Sequence, residues 1–110
     1  MLKFYGIKNC NSVKKAMDYL NSKQIEFEFL DIKKLDEETL NFWFSKRSVL
    51  ELVNTAGMSA RKLGLNKEKL QNLNQDEIKV MILQNPTLIK RPLIVKDDEV
   101  FIAKEYEGFD

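Results

Sequence analysis

Residues 1–20, MLKFYGIKNCNSVKKAMDYL, join a predicted strand to a predicted helix. The first five residues are mostly apolar and are followed by Gly6, which predicts a short buried strand that ends in a turn. From residue 11 to residue 22 apolar side chains recur at helical spacing, with charged side chains between them, which predicts an amphipathic helix. Cys10 stands between the two, so a polar loop carries a cysteine to the start of a helix.

The middle of the chain predicts a second strand followed by helices. Apolar and acidic residues alternate over IEFEFLDI, residues 25–32, which is typical of a strand. Asp36 and Asn74 each precede a helical pattern and are predicted N-caps, and Glu77 stands at the capping-box position of the second. Between these helices, residues 48–73 predict short helices interrupted by glycines.

The last third of the chain changes to the period of a sheet. PLIVKDDEVFIA, residues 92–103, has two apolar runs around Asp97 and Asp98, which predicts a β-hairpin. The whole order is therefore strand–helix–strand, a helical segment and a hairpin. This order indicates one compact α/β domain with a mixed central β-sheet.

Composition excludes several classes of function. The chain of 110 residues has 18 basic and 17 acidic side chains, and this balance argues against direct DNA binding. No stretch approaches 18 apolar residues, so we expect no membrane insertion, and the first residues lack the apolar core of a signal peptide. One cysteine cannot form an internal disulfide, and without histidine we expect no metal site. A cytoplasmic protein is expected.

Cys10 has two interpretations from the residues alone. A free cysteine often packs as a small apolar side chain. At the start of a helix, however, unpaired N–H groups and the helix dipole stabilise a thiolate, and they lower the thiol pKa from about 8.5 toward roughly 3.5–7.5. Lys8, Lys14 and Lys15 add positive potential nearby.

Partners for a reactive Cys10 would have to be basic, because no histidine can act as a base. The guanidinium group suits oxyanions, carboxylates and phosphates. The chain has three arginines, Arg47, Arg61 and Arg91, and Arg91 directly precedes Pro92. Composition alone does not connect any of them to Cys10.

Three segments resemble one family when they are taken in order: GIKNC at residues 6–10, ARKLG at 60–64 and IKRP at 89–92. Together they resemble the arsenate-reductase-like (ArsC-like) family of the thioredoxin superfamily, and YGIKNC followed by KKA is most similar to its YffB branch. The resemblance implies a thioredoxin-like fold in a single domain, residues 1–110, with a helical insertion at about residues 34–85.

The resemblance also implies roles for individual residues. Cys10 falls on the nucleophilic cysteine of the family. Arg61, within GMSAR, and Arg91 fall on the arginines that bind the oxyanion and lower the thiol pKa. Pro92 falls on the family's cis-proline.

Three further residues are implied in substrate binding. Asn9 and Asn11 would shape the loop around the thiol, although polar turn chemistry explains them equally well. Lys104 stands where arsenate reductases carry a further arginine. A lysine keeps the charge but lacks the bidentate fork, which argues against arsenate as the substrate.

The implied function is a thiol-dependent reductase. Since the chain has no second cysteine, the resolving thiol must come from outside, most simply glutathione, with glutaredoxin as a further candidate partner and no bound cofactor. Two alternatives stay open. One is a true arsenate reductase, and the other is a regulator similar to Spx, which binds RNA polymerase. Val13 replaces the second cysteine of the Spx Cys-x-x-Cys pair.

Overall fold

The computed structural model describes residues 1–110 and divides into two compact units. One unit combines Met1–Ile32 with Arg91–Asp110, and the other is Lys33–Lys90. The second unit extends beyond the predicted insertion of residues 34–85. The reason is that residues 86–90 are tied to it: Val53 bridges Ile89, and the amide of Lys90 donates to the carbonyl of Leu52 at 2.8 Å. The prediction of a single domain stays a prediction.

The first unit is built on a four-stranded mixed sheet. Its elements are β1 (Leu2–Gly6), α1 (Asn11–Ser22), β2 (Phe27–Asp31), β3 (Leu93–Lys96), β4 (Glu99–Ile102) and a C-terminal 3-10 helix (Ala103–Gly108). The strand order is β2-β1-β3-β4, with β1 parallel to β2 and the other pairs antiparallel. Parallel strands need a crossover, which α1 provides. The predicted mixed sheet, with a βαβ unit and a hairpin, is confirmed.

The predicted limits of β2 were wrong at both ends. The strand begins at Phe27 rather than residue 25, because the amide of Ile25 donates to the carbonyl of Leu20 at 2.9 Å and remains part of the helix ending. Gln24 adopts a left-handed φ of 59° in the same connection. At the other end Ile32 begins a 3-10 helix, Ile32–Lys34.

The core of the first unit lies between α1 and the sheet. The apolar face of α1 buries Val13, Ala16 and Leu20, as the helical period predicts. From the sheet, Phe4 packs against the rings of Phe27 and Phe29, with centroid distances of 5.2 and 6.0 Å. The buried residues of α1 share one core cluster with Leu2 and Phe4 of β1, which holds α1 over β1 and so positions the loop that joins them.

The hairpin turn follows the sequence prediction. Lys96 pairs with Glu99, which leaves Asp97 and Asp98 as a two-residue loop. Both adopt left-handed φ angles, 52° and 62°, as a type I′ turn requires.

The C-terminal 3-10 helix is held against α1. The Tyr19 hydroxyl lies 2.9 Å from the carbonyl oxygens of both Glu107 and Phe109 and donates to them. The ring of Tyr106 meets that of Tyr19 edge to face at 5.3 Å, and Tyr106 and Phe109 are buried. Residues 103–109 are therefore an ordered part of this unit.

The second unit is helical: α2 (Glu37–Lys46), α3 (Val49–Leu52), α4 (Met58–Lys62), α5 (Lys67–Asn72), α6 (Gln75–Gln84) and a 3-10 helix (Pro86–Leu88). Both predicted N-caps are confirmed. Asp36 accepts from the amide of Thr39 at 2.9 Å, and Asn74 forms a capping box with Glu77. Gly64 ends α4 with a left-handed φ of 64°. No helix of the chain combines the length and the apolar character that a bilayer span requires.

Candidate functional site

Cys10 is the N-cap of α1. Its backbone is extended, with φ −117° and ψ 124°, and its carbonyl accepts the first intrahelical hydrogen bond from the amide of Lys14 at 3.0 Å. The thiol is partly buried. The ordinary geometry of a helix start therefore presents the sulfur to the free N–H groups of the first turn.

Arg91 reaches Cys10 because of the antiparallel pairing of β1 and β3. Tyr5 pairs with Leu93, so the residues just before β3 lie beside those that follow β1. The side chain of Arg91 donates a hydrogen bond to the Cys10 thiol. The peptide bond between Arg91 and Pro92 is cis, and the carbonyl of Pro92 accepts from the amide of Ala103 at 3.0 Å.

These contacts set the acidity of the thiol. Partial burial is the largest single influence and raises the pKa of Cys10, because it disfavours the charged form. Hydrogen bonds from the amides of Val13 and Ser12, followed by the hydrogen bond and positive charge of Arg91, act the other way and together outweigh it. The pKa of Cys10 is therefore lowered from its ordinary value, which enriches the thiolate. The sulfur makes no side-chain capping hydrogen bond of the usual kind, so these amides favour the thiolate without forming a conventional cap.

A cavity of about 170 Å³ lies near the start of α1, and Cys10 itself is not among the residues that line it. It shares Ser12 and Arg91 with the surroundings of Cys10. Three cationic side chains line it, those of Lys15, Arg91 and Lys104, and no carboxylate does. The arrangement therefore joins a thiol of lowered pKa to a small, positively charged recess.

The predicted site residues divide into three groups by position. Arg91, Pro92 and Lys104 lie together on the recess beside Cys10. Asn9 and Asn11 are exposed on either side of the cysteine. Arg61 is exposed on α4 in the second unit, and its association with Cys10 stays a prediction.

Sequence reasoning did not assign Ser12 and Tyr106 to this site, and it named Lys15 only as one of three lysines that add positive potential near Cys10. Ser12 and Lys15 are three residues apart, a spacing that places both on one face of α1 and could have indicated a shared surface. For Tyr106 no local pattern gives a signal, since its place depends on the contact of the C-terminal 3-10 helix with Tyr19.

The chain is similar to known proteins over most of its length. The model of the ArsC family matches residues 5–109. An uncharacterised protein of Haemophilus influenzae is 34% identical, covering 98% of this chain and 97% of its own length. The regulatory protein MgsR of Bacillus subtilis is 24% identical, covering 93% of this chain and 82% of its own length.

Two solved structures share the fold, with about a quarter to a third of the aligned residues identical. The structure of an arsenate reductase (ArsC) related protein from Brucella melitensis has a TM-score of 0.79 and 30% identity, covering 98% of this chain and 92% of its own. The YffB protein has a TM-score of 0.84 and 26% identity, covering 99% and 96%.

The chain belongs to the ArsC family. Its mixed α/β architecture is the thioredoxin-like fold of that family, and the predicted resemblance to ArsC and YffB proteins is confirmed. Membership of this family supports a reductase-like role based on a thiol.

Proposed function

We propose that the protein is a thiol-dependent reductase in which Cys10 is the nucleophile and an external thiol, most simply glutathione, is the reductant. The observation that supports this best is the hydrogen bond from Arg91 to the Cys10 thiol, together with the first-turn amides that favour the thiolate. Thiolates rather than thiols attack disulfides, so these contacts act on the reactive form.

The first step is attack of the Cys10 thiolate on the glutathionyl sulfur of a mixed disulfide. A bond forms between the two sulfurs while the original disulfide bond breaks, and the substrate sulfur leaves as a thiolate that takes a proton from water. The substrate is thereby reduced, and Cys10 is held in a mixed disulfide.

The second step restores the enzyme. No other cysteine in the chain can attack this mixed disulfide. A glutathione thiolate from solution therefore attacks the glutathionyl sulfur, which forms oxidised glutathione and releases the Cys10 thiolate. Glutaredoxin could supply the same thiol in place of free glutathione.

Basic and polar residues would hold the anionic parts of the substrate. Arg91 would stabilise the thiolate and the departing charge, and Lys104 would add a second cation. By the pattern of the family, Arg61 would bind an anionic group, Asn9 and Asn11 would shape the loop, and Pro92 would line the site. No bound cofactor is needed, and we place the reaction in the cytoplasm, where free thiols are kept reduced.

The decisive experiment follows the oxidation of glutathione by the mixed disulfide of glutathione and 2-mercaptoethanol, with Cys10→Ser as the control. We expect turnover by the wild type, none by Cys10→Ser, and a wild-type intermediate whose mass is increased by one glutathionyl group at Cys10. Equal rates for the two proteins would overturn the proposal. Faster reduction of arsenate than of the mixed disulfide would instead assign a true arsenate reductase.

A regulatory role is the second candidate, and similarity to the regulatory protein MgsR favours it. A Spx-like protein would bind RNA polymerase, and here it would lack the two-cysteine switch because residue 13 is valine. Retention of purified RNA polymerase on the immobilised protein, by both wild type and Cys10→Ser, would support this role. Absence of retention would exclude it.

A further inference from the structure

Arg91, which hydrogen-bonds the Cys10 thiol, lies outside the strands of the sheet, two residues before β3. Beyond the paired residues of β3 and β4, one more backbone hydrogen bond extends the hairpin: the amide of Ala103 donates to the carbonyl of Pro92 at 3.0 Å. Ala103 is also the first residue of the C-terminal 3-10 helix. The backbone of Arg91 is therefore held through Pro92, and Pro92 in turn is held by the start of that helix.

Ala103 turns the chain from β4 into the 3-10 helix with a left-handed φ of 54°. A residue with a Cβ seldom adopts this conformation, which costs about 1 kcal/mol or more and persists only where surrounding contacts hold it. One such contact lies at the turn itself, where the carboxylate of Glu105 accepts from the amide of Ile102 at 2.8 Å. The direction of the Ala103 amide, and with it the bond to Pro92, therefore depends on the helix staying docked.

The far end of the same helix is docked by side chains from other elements. The hydroxyl of Tyr19, on α1, donates to the carbonyl oxygens of Glu107 and Phe109, each at 2.9 Å. The ring of Phe109 also meets that of Phe101, on β4, edge to face at 4.9 Å. A short 3-10 helix has poor hydrogen-bond geometry of its own, so tertiary contacts of this kind hold it. Loss of these contacts would release the whole segment, including its first residue.

We propose that the C-terminal 3-10 helix is a positioning element for the site, and that its docking on Tyr19 holds the Arg91 guanidinium where it donates to the Cys10 thiol. Tyr19 is then a positioning residue, because it is not among the groups that act on the thiol directly. The inference rests on the proposed function, since it describes how the nucleophile of that function is kept in its reactive form.

The test measures the rate of Cys10 alkylation by iodoacetamide against pH in the full chain. The variant is Tyr19→Phe, which removes both hydrogen bonds to the helix and keeps the ring. The matched control is Ser22→Ala, which removes a different hydroxyl hydrogen bond of α1, to the carbonyl of Tyr19 at 2.7 Å, and leaves the docking of the helix in place. Both substitutions are repeated in an Arg91→Ala background, which separates an effect transmitted through Arg91 from any other.

We expect Tyr19→Phe to move the profile to higher pH, by less than Arg91→Ala does. At a pH below the wild-type apparent pKa, the rate should fall roughly 2- to 5-fold, a fraction of the effect of losing a hydrogen bond to a charged group entirely. Ser22→Ala should leave the profile unchanged. In the Arg91→Ala background Tyr19→Phe should have no further effect, because the group that it positions is gone.

A purely structural role for Tyr19 predicts a different set of results. Tyr19→Phe would then unfold at a lower urea concentration without moving the alkylation profile, and that result would overturn the inference. An equal shift in Ser22→Ala, or a shift by Tyr19→Phe that persists in the Arg91→Ala background, would overturn it as well. Each of these outcomes leaves the proposed function standing. Equal turnover by the wild type and Cys10→Ser in the glutathione assay would instead overturn the proposed function and the inference with it.

Discussion

The backbone of Gly6 lies directly against the side chain of Val13, so that a Cβ on residue 6 would fall 2.9 Å from both Val13 methyl carbons. Gly6 ends β1 and Val13 lies in the first turn of α1. Their close approach brings the helix start down onto the end of the strand. It therefore contributes to placing Cys10, which lies between them.

Gly6→Ala should destabilise the protein by about 1–3 kcal/mol, since the added methyl group overpacks a site whose neighbour is fully buried. Urea unfolding measures the change. The matched control is Gly108→Ala, because a Cβ there meets nothing within 4 Å. In a Val13→Ala background the cost of Gly6→Ala should fall, and an unchanged cost would show that this contact is not its cause.

The thiol of Cys10 should be alkylated by iodoacetamide with an apparent pKa below the ordinary value for cysteine. The thiolate is the reactive form, so the rate rises with pH until the thiol is fully ionised. Arg91→Ala should move this profile to higher pH, because it removes a hydrogen bond and a positive charge that favour the thiolate while partial burial still opposes it. Arg47→Ala is the control, since Arg47 pairs with Glu51. Coincident profiles for the wild type and Arg91→Ala would contradict the assigned role of Arg91.

Tyr19→Phe should loosen the C-terminal 3-10 helix. The substitution keeps the ring that packs on Tyr106 but removes the hydroxyl that donates to the carbonyl oxygens of Glu107 and Phe109. We expect a loss of about 0.5–1.5 kcal/mol in stability, and faster amide hydrogen exchange confined to residues 103–110. Uniformly faster exchange across β1 and α1 would instead point to a general loss of packing.

Glu51 should titrate with a pKa of about 2, because the amide of Ser48, the guanidinium of Arg47 and the hydroxyl of Ser48 all bind its carboxylate. The folded-state pKa is depressed, so the stabilisation of α3 by this carboxylate is present above the ordinary pKa of 4.5 and is lost as the pH falls toward 2. Carboxyl-carbon NMR measures it directly. Ser48→Ala should raise this pKa, and a wild-type titration at 4.5 would refute the capping interaction.

Local features of this protein could be predicted because their causes lie within a few residues of chain. The period of apolar side chains defined α1 over residues 11–22, and the caps at Asp36 and Asn74 involve partners three residues away. The turn at Asp97 and Asp98 likewise follows from residues that tolerate left-handed φ angles. The start of β2 could not be located in this way, since it depends on the hydrogen bond that holds Ile25 to the end of α1.

At the site, the sequence alone predicts that a lone cysteine begins a helix, which already favours a thiolate, and the family resemblance adds Arg91 as its partner. The hydrogen bond from Arg91 to the thiol, and the recess that Lys15, Lys104 and Tyr106 share near it, are visible in the folded chain alone. Capping and helical periodicity depend on neighbours along the chain. Antiparallel pairing of β1 with β3 and the docking of the C-terminal 3-10 helix on Tyr19 instead join residues from opposite ends of the chain, through contacts that no local pattern encodes.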